Sequence, residues 1–506
     1  MFFPAFLFPQ TASIEWAKCY GGLGNETPMR IIQTSDGGYI TGGRTNSLDS
    51  YITTNYGGVD FWILRLDENG DTIWSKVYGG SGSDYFYDII ETPGSGFIAM
   101  GHSNSTDGCV HGNHGDNDIW LLKLDANGDT LWTKCFGGSD NEWGNRIFPK
   151  NANSYIITGS SCSSDFDVSE NNGFFDYWIF EIDSSGNILW EKSYGGSLSD
   201  YFHSFDSIPG TGFIVCGTSN SDDFDVCGNN GDYDAWIVCL DYSGDTLWSR
   251  NYGGSGWDDP FSLKSLSNGY IISNWSNSSD QDVWGNHGMN DFWMIRTDLA
   301  GDTIWTRSFG GSDDDGPNDV FVDSDGNFIA AGLSFSSDGD ISYFHGAIDM
   351  WIIKFDTLGN LLWEKSLGGS GMEFESSSCQ TTDSAYVIVG GTYSDDGDVT
   401  GHIGDSDFWI VKVRETPLGI TEDISYTKAS VYPNPANDEF NITFDKNIHK
   451  TVLITIVNSD GKPVFYKELR DTHGEIKITR PDVAGGVYFI KLVTENEVIV
   501  KKLILN

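Results

Sequence analysis

A tryptophan recurs along most of this chain at a nearly constant spacing. Successive copies lie 58 residues apart, with one interval of 57, and each opens a phrase such as WSKVYGG. A second phrase, such as DFWILRLD, recurs in step with the first. Self-similarity at this period predicts one structural unit per copy, and therefore seven equivalent units. The repeat tryptophans of the first phrase are Trp16, Trp74, Trp132, Trp190, Trp248, Trp305 and Trp363.

One unit parses into four short strands. Residues 85 to 136 contain the runs YFYDIIETP, GFIAMGHS, DIWLLKLD and DTLWTKCF, which are separated by turn sequences and one long polar loop. No run keeps a helical period. Four strands per unit, repeated radially, predict an all-β chain with a seven-bladed β-propeller over residues 14–414. We name the strands of each blade a, b, c and d from the axis outward.

The two ends of the repeat region predict how the ring closes. The repeats begin with SIEWAKCYGG, a strand d without preceding partners, and end with DFWIVKVR, a strand c without a following strand d. The N-terminal strand is therefore expected to complete the last blade, which removes the exposed sheet edges of an open ring.

The last ninety residues have a different pattern. After a linker at 415–424, alternating apolar runs predict a small Ig-like β-sandwich over 425–506. This segment carries YPNP, AGGVYFIKL and a terminal KKL, in that order. In these motifs it resembles the type A C-terminal sorting domain of the type IX secretion system. The matching residues are Tyr432, Pro433, Asn434, Pro435, Gly486, Tyr488, Lys491, Lys501 and Lys502.

The resemblance implies a Bacteroidota-type cell, in which the secretion machinery recognises the tail and exports the protein across the outer membrane. It also implies removal of the tail, with release of the protein or attachment to surface lipopolysaccharide. Residues 1–13, MFFPAFLFPQTAS, form a short apolar run that ends in small residues and are interpreted as a remnant of an export signal. No apolar run is long enough to span a membrane.

Negative charge is concentrated in the repeats. The segment from Pro417 holds 11 of the 29 Lys+Arg and 12 of the 73 Asp+Glu, which leaves 18 and 61 in the first 416 residues, a net charge of −43. Such a disc repels nucleic acids and anionic membranes. It suits cations, neutral or cationic ligands, and media of high ionic strength.

Three sets of seven carboxylates recur on one predicted face, where the d–a and b–c loops emerge. The d–a acids follow each Gly-Gly by four residues: Glu26, Asp84, Glu142, Asp200, Asp258, Asp315 and Glu373. The b–c acids are Asp49, Asp107, Asp165, Asp223, Asp280, Asp338 and Asp396. The strand-c acids are Asp60, Asp118, Asp176, Asp234, Asp291, Asp349 and Asp407. The d–a and strand-c acids are interpreted as structural.

The b–c loop is the candidate metal site. In DFDVCGNNGDYD, oxygen donors stand at positions 1, 3, 7 and 12, a spacing that resembles an EF-type calcium loop without the acid at position 5 and with Asp in place of Glu at position 12. The alternative is a loop that satisfies its own backbone through Asx turns. The candidate calcium ligands are Asp165, Asp167, Asp223, Asp225, Asn229, Asp234, Asp280, Asp282, Asn286, Asp291, Asp396, Asp398 and Asp407.

Fourteen of the eighteen tryptophans belong to the repeated pair. The hairpin LDANGDTLW resembles the tryptophan-docking hairpin of quinoprotein-type propellers, which implies that its indole packs between blades. Trp143 and Trp257 on d–a loops and Trp284 on a b–c loop fall outside the repeat and are candidates for stacking on sugar rings. The alternative is that they are lids over neighbouring loops.

Catalytic motifs are not evident, and the histidines show no pairing pattern. Cys216 and Cys239 share a blade and are candidates for a disulfide bond in an oxidising compartment. These features predict a secreted or surface-bound, non-catalytic binding or adhesion module for extracellular polysaccharide or another surface ligand, with calcium as a candidate cofactor. Two alternatives stay open: a polysaccharide-degrading enzyme with carboxylates at the axial mouth, and a protein–protein scaffold.

Overall fold

The computed structural model describes residues 12–415, 429–444, 452–458, 462–469, 475–493 and 498–506. The chain divides between Thr416 and Pro417 into two compact units. Within the described residues every regular element is a β-strand. The first unit contains seven four-stranded antiparallel sheets, which confirms the prediction of a seven-bladed propeller.

The strands of the propeller follow one another from the axis outward in each blade. A single strand, β1 (Ala12–Tyr20), precedes the first complete blade. Blade 1 consists of β2 (Glu26–Gln33), β3 (Tyr39–Thr45), β4 (Asp60–Leu66) and β5 (Thr72–Tyr78). Blade 2 consists of β6 (Asp84–Thr92), β7 (Gly96–Ser103), β8 (Asp118–Leu124) and β9 (Thr130–Phe136). Blade 3 consists of β10 (Glu142–Asn151), β11 (Ser154–Ser161), β12 (Asp176–Asp183) and β13 (Ile188–Tyr194).

The second half of the ring repeats this order. Blade 4 consists of β14 (Asp200–Ile208), β15 (Gly212–Ser219), β16 (Asp234–Asp241) and β17 (Thr246–Tyr252). Blade 5 consists of β18 (Asp258–Leu266), β19 (Gly269–Ser276), β20 (Asp291–Thr297) and β21 (Thr303–Phe309). Blade 6 consists of β22 (Asp315–Val322), β23 (Phe328–Ser334), β24 (Asp349–Phe355) and β25 (Leu361–Leu367). Blade 7 contains β26 (Glu373–Gln380), β27 (Tyr386–Thr392) and β28 (Asp407–Glu415).

The N-terminal strand closes the ring, as predicted. β1 pairs antiparallel with β28, from Ala12 opposite Glu415 to Tyr20 opposite Phe408, and supplies the fourth strand of blade 7. Because β1 begins at Ala12, the last two residues of the predicted export-signal remnant belong to this strand. Residues 1–11 and the predicted linker beyond Glu415 lie outside the described residues.

Strand c is buried on both faces because a neighbouring blade covers each of them. All seven residues of β4 are buried, including Trp62, which packs on Phe408 of blade 7 with ring centroids 4.5 Å apart. Burial of such aromatic and aliphatic side chains supplies the main stabilisation between blades.

The outer strand docks each blade on the next one. Trp74 of β5 donates its indole N–H to the carbonyl oxygen of Ala126 at 3.2 Å, in the c–d hairpin of blade 2. Tyr78 donates its hydroxyl to the carbonyl oxygen of Gly128 in the same hairpin at 2.5 Å. Gly128 has a φ of +76°, a conformation that favours glycine. The resemblance implied that the tryptophan of the repeat hairpin packs between blades, and Trp74 does so by docking on the hairpin of blade 2.

All eight cysteines are free thiols. The suggested bond between Cys216 and Cys239 is not formed, because the register of β15 and β16 places Ile237 opposite Cys216 and Ile214 opposite Cys239.

The second unit has two antiparallel sheets. One contains β29 (Ala429–Tyr432), β30 (Glu439–Phe444) and β33 (Glu475–Thr479). The other contains β31 (Val452–Val457), β32 (Pro463–Leu469), β34 (Gly486–Val493) and β35 (Val498–Leu505). A shared core that includes Phe440, Ile456 and Leu503 joins them as a β-sandwich.

Candidate functional site

The d–a and b–c loops interlock on one face of the disc, as the sequence predicts. Val59, at the end of the b–c loop of blade 1, forms a parallel bridge with Ser83 in the following d–a loop. In the next blade, the amide of Ser81 in this d–a loop donates to the b–c acid Asp107 at 2.7 Å. Each loop is thus tied to the loops on both sides of it.

The d–a acids hold their own loops together. In all seven copies the carboxylate accepts the amide N–H of the second glycine of the Gly-Gly phrase at 2.7–2.8 Å. Asp84 also accepts hydrogen bonds from the hydroxyls of Ser103 and Ser105. These acids are fully buried, and their contacts support the structural interpretation.

The strand-c acids are paired with the d–a acids across the first glycine of the phrase. A Cβ at Gly79 would lie 1.9 Å from Oδ1 of Asp60 and 2.7 Å from Oδ2 of Asp84, so only glycine fits between the two carboxyl groups. The same arrangement recurs at the other six blade junctions. We call these seven sites the paired carboxylates.

In each paired site, one oxygen of the strand-c acid has no hydrogen-bond donor among the described residues. In all seven strand-c acids, Oδ2 accepts a backbone N–H from four residues upstream, whereas buried Oδ1 has no hydrogen-bond partner among the described residues. Burial raises the pKa of Asp60 to about 6, and nearby Asp84 adds to the effect. Burial likewise raises the pKa of Asp176 and of Asp234 to about 7. These carboxyl groups therefore hold protons at pH values where an exposed aspartate is ionised.

The candidate calcium ligands of one b–c loop point in different directions. Asp223 accepts the amide N–H of Ser197 at 2.7 Å, before blade 4. Asp234, at the other end of the same loop, faces Gly253 after blade 4. Asp225 lies 3.3 Å from the amide nitrogen of Gly195 and accepts its hydrogen. The candidate ligand oxygens of these three aspartates are therefore not arranged around one point.

The remaining candidates repeat this pattern. Asp165, Asp280 and Asp396 each accept an amide N–H from the preceding d–a loop at 2.7–2.8 Å. The side chains of Asn229 and Asn286 form Asx turns, in which Oδ1 accepts the N–H two residues ahead.

The other five candidates are Asp167, Asp282 and Asp398 at position 3, and Asp291 and Asp407 at position 12. Four of them accept amide N–H groups of the loops, whereas Oδ2 of Asp398 has no hydrogen-bond partner among the described residues. Asp167 and Asp282 accept the N–H of Gly137 and Gly253. Nε2 of His345 lies 3.6 Å from Asp398. In the described part of the chain, no group of three or more His, Cys, Asp or Glu side chains is arranged to hold a metal ion. Calcium in these loops stays a prediction.

Two of the three candidate tryptophans meet in one cavity. This mouth pocket has a volume of about 470 Å³ and lies where the strands a of blades 2–5 reach the loop face. Trp143 is 37% exposed and Trp257 is 50% exposed. Trp143 is the second residue of β10 rather than part of a loop. The pocket is lined by Tyr87, Trp143, Asn145, Ser160, Tyr201, Phe202, His203, Thr218, Tyr233, Trp257 and Asp259.

Both indoles are held by aromatic stacking. Trp143 stacks on Phe175 with a centroid distance of 4.3 Å, and on Tyr201 at 5.9 Å with an interplanar angle of 13°. Trp257 stacks on Tyr233 at 4.9 Å. Neither indole N–H donates to another described residue. The two rings are thus fixed in orientation, while each keeps an exposed surface.

A polar group lies between the two indoles. His203 Nε2 is 3.1 Å from the hydroxyl of Thr218 and 3.3 Å from Oδ1 of Asp259. Sequence reasoning missed these residues and the neighbouring tyrosines, because none of them belongs to a repeated phrase. For His203 and Asp259 the signal is variation, because both occupy strand-a positions at which the other blades carry different residues. Thr218 lies on strand b and Tyr233 at the end of the b–c loop of blade 4.

The third candidate tryptophan lies elsewhere. Trp284 is 71% exposed, and its carbonyl oxygen accepts the hydroxyl of Ser308 on β21, the outermost strand of blade 5. It is therefore at the rim of the disc and does not line the mouth pocket.

A second cavity follows the mouth pocket along the axis. This axial cavity has a volume of about 200 Å³, and its wall includes a ring of strand-a residues: Arg30, Asp88, Arg146, Ser204, Ser262 and Asp319. Asn145 and His203 line the mouth pocket, and the residues that follow each of them line the axial cavity. The two cavities are therefore neighbours on the same strands.

The predicted sorting residues also come together in the second unit. The side chain of Asn434, in YPNP, donates to the carbonyl oxygen of Lys502 at 2.7 Å and accepts the amide N–H of Ile504 at 2.8 Å. Lys501 and Lys502 on β35 pair with β34, which carries Tyr488 and Lys491. The first and last motifs of the segment thus share one edge.

The fold defines the chain as a seven-bladed β-propeller followed by a β-sandwich. Residues 430–506 match the family model described as a secretion system C-terminal sorting domain, which confirms the assignment to the type IX system. The domain indicates recognition by the secretion machinery and export to the cell surface or the extracellular space. No helix among the described residues has the length and hydrophobicity needed to cross a lipid bilayer.

Comparison with curated proteins finds no match. Among solved structures, the plexin A4 extracellular region aligns over 96% of this chain and 67% of its own, with 8% identity and a TM-score of 0.42. A second, longer plexin A4 structure aligns over 96% of this chain and 53% of its own, with 8% identity and a TM-score of 0.43. Cobalt-substituted Synechocystis apocarotenoid oxygenase aligns over 57% of this chain and 62% of its own, with 16% identity and a TM-score of 0.34.

Proposed function

We propose that this exported propeller is a non-catalytic module that binds extracellular glycans in the mouth pocket. The observation that carries the proposal is the pair of partly exposed indoles, Trp143 and Trp257, in one cavity of about 470 Å³. A cavity of this size accommodates two or three sugar rings.

The chemistry of the lining suits a carbohydrate. The C–H face of a sugar ring packs on the face of an indole, and the stacks with Phe175 and Tyr233 hold both rings in place before a ligand arrives. Asn145 and Asp259 offer hydrogen-bonding groups at the edge of such a ring. Rigid aromatic surfaces with a few polar groups are the typical composition of a small-ligand site.

The lining favours binding over hydrolysis. Glycosidases generally use two carboxyl groups on opposite sides of the scissile bond. Asp259 supplies the single carboxyl group among the residues that line this pocket. The carboxylates that are abundant on this face are instead engaged with backbone amides of the loops, as with Asp223 and Ser197.

The test is affinity electrophoresis of the full chain through gels that contain neutral polysaccharides: xylan, mannan, laminarin and starch. We expect at least one polysaccharide to retard the wild type. Trp257→Ala and Trp143→Ala should each weaken binding by roughly fivefold or more, since a stacking side chain contributes about 1–3 kcal/mol. Trp284→Ala is the matched control and should migrate like the wild type.

Each alternative has its own outcome. New reducing ends in the polysaccharide would replace the proposal with an enzyme. Binding to surface proteins, without any polysaccharide dependence, would replace it with a scaffold. Unfolding midpoints of the three variants separate loss of the site from loss of the fold, because Trp143 contributes to packing through its contacts with Phe175 and Tyr201.

A further inference from the structure

The axial cavity brings together three of the few cations of a strongly acidic disc, alongside three aspartates, Asp88, Asp206 and Asp319. The first 416 residues hold 18 Lys+Arg against 61 Asp+Glu. Three of these cations, Arg30, Arg146 and Lys264, line one cavity of about 200 Å³. The two arginines occupy the same repeat position in blades 1 and 3, four residues after the d–a acid.

The two arginines differ in their partners. Nε of Arg30 lies 3.2 Å from Asp88 and its Nη1 lies 3.7 Å from Asp319, so Arg30 is placed between two carboxylates. Arg146 forms neither an ion pair nor a side-chain hydrogen bond with any described residue. Its guanidinium group, which has five N–H donors, is therefore available to a ligand.

The nearby acids Asp88 and Asp319 act on Arg146 at longer range, and neither forms an ion pair with it. Asp88 accepts the amides of Ile89 and Ile147, and Asp319 accepts the amide of Ser378, in addition to their contacts with Arg30. Glu375 is buried beside them without a hydrogen bond to either carboxyl oxygen among the described residues. Burial, with Asp319 next in effect, raises the pKa of Glu375 well above its ordinary value.

We propose that the axial cavity binds a small ligand that carries one carboxylate and several hydroxyl groups, with the carboxylate held by Arg146. A guanidinium group and a carboxylate match as two parallel charge-assisted hydrogen bonds. The other wall residues, among them Ser204, Ser262 and Asp319, are partners for hydroxyl groups. The volume fits one sugar acid, whereas the acids in the wall disfavour a doubly charged anion such as sulfate.

This site is separate from glycan stacking in the mouth pocket. Arg146 and the stacking residue Trp143 are on the same strand, but they line different cavities. Either site can therefore fail in experiment without the other.

The experiment is titration calorimetry of the full chain at about 0.15 M salt, which screens the long-range repulsion of anions by the disc. The probes are D-glucuronate, D-glucose, acetate and sulfate. We expect binding of D-glucuronate, weaker binding of acetate, and no binding of glucose or sulfate. Arg146→Gln should reduce the affinity for D-glucuronate by roughly tenfold or more, and Arg146→Lys should be intermediate because the charge is kept and the fork is lost.

The control variant is Arg307→Gln. Arg307 is exposed on β21 and donates only to the carbonyl oxygen of its neighbour Thr306, so D-glucuronate affinity should be unchanged. Arg146→Gln should fold at least as well as the wild type, because it removes a half-buried charge that has no ion-pair partner and is repelled by Arg30. Absence of D-glucuronate binding by the wild type, or equal binding by Arg146→Gln, would overturn the proposal. If Trp257→Ala abolishes D-glucuronate binding and Arg146→Gln does not, the acid binds in the mouth pocket instead.

Discussion

The loop framework and the axial surface of this propeller are built from the same strands but follow opposite rules. At the blade junctions every copy carries the same chemistry: a Gly-Gly phrase, a d–a acid and a strand-c acid. One position beyond the d–a acid, the seven blades instead carry Thr27, Tyr85, Trp143, Tyr201, Asp259, Gly316 and Phe374. Uniform positions are those that hold one blade on the next, whereas three of the residues that differ, Trp143, Tyr201 and Asp259, line the mouth pocket.

The difference shows where symmetry ends in a repeat protein. Seven identical blades would surround the axis with identical side chains and give no directional site. The aromatic residues that vary fall in adjacent blades, so Trp143 and Tyr201 come within stacking distance and Trp257 completes the same pocket. One sector of the mouth thereby differs from the rest of the ring.

The largest expected effect separates framework from surface tryptophans. Trp62 is fully buried, packs on Phe408 and donates its indole N–H to Ser75 at 2.9 Å. Trp62→Ala should lower the free energy of unfolding by about 3–5 kcal/mol, as for other buried large aromatic residues. Chemical denaturation of the full chain, followed by tryptophan fluorescence and circular dichroism, measures it.

The matched variant is Trp284→Ala, which removes an indole that is 71% exposed. Its effect should stay within about 0.5 kcal/mol. If the two variants lost the same free energy of unfolding, the exposed fraction of a tryptophan would not distinguish framework from surface residues in this fold.

The second-largest expected effect is the pH dependence of stability that comes from the paired carboxylates. The pKa of Asp176 is raised to about 7 because the group is buried, and Asp200 adds to the effect. A carboxyl group with a raised pKa in the folded state stabilises the fold below its ordinary pKa, and this contribution is lost as the pH rises through about 7. Between pH 5 and pH 8 the propeller should therefore become less stable. Asp176→Asn, which cannot ionise, should be more stable than the wild type at pH 8 by about 1–3 kcal/mol.

The measurement is the unfolding midpoint of both proteins at pH 5 and at pH 8. The advantage of Asp176→Asn should be clearly larger at pH 8 than at pH 5, because part of the linkage between the ordinary pKa and about 7 already acts at pH 5. Burial lowers the pKa of His102 to about 4, so this group makes the fold more stable as the pH rises. Because His102 is present in both proteins, the difference between variant and wild type isolates the effect of Asp176. A variant that is less stable at both pH values would show that the carboxylate at this junction is needed in its ionised form.

The sequence was sufficient for the framework and insufficient for the site. Blade number, closure by β1 and the structural role of the d–a acids follow from spacing, because each repeats seven times. Trp143 and Trp257 were found as exceptions to the repeat. His203 and Asp259 were missed, since nothing local indicates that strands from blades 4 and 5 bring them within 3.3 Å. Asp223 and Asp234 stand at the two ends of one loop, which suggests a shared site in the sequence, but in the structure the two ends face different blade junctions.

A smaller change in stability is expected from substitution at the residue that follows the b–c acid. Phe224 has a φ of +52° and is 71% exposed, whereas blades 2, 6 and 7 have glycine at this position. A Cβ at Gly108, the equivalent residue, would lie 2.4 Å from the carbonyl oxygen of Gly79. Phe224→Gly should therefore raise the free energy of unfolding by about 1 kcal/mol by removing left-handed strain. A lower midpoint would mean that the exposed ring packs on the loop face.

The smallest expected effect concerns calcium, and it tests whether the b–c loops belong to the framework or to a site. Asp223 and Asp225 already accept backbone amides, and Asp234 points to another junction. We therefore expect unfolding midpoints in EDTA and in millimolar calcium to agree at fixed ionic strength, with a difference below about 0.5 kcal/mol. A ligand at a hundredfold excess over its Kd adds about 2.7 kcal/mol for each site on the folded state, so occupied loops would be readily detected. A rise specific to calcium and lost in Asp223→Asn would confirm the predicted metal loops and place these acids in a functional site.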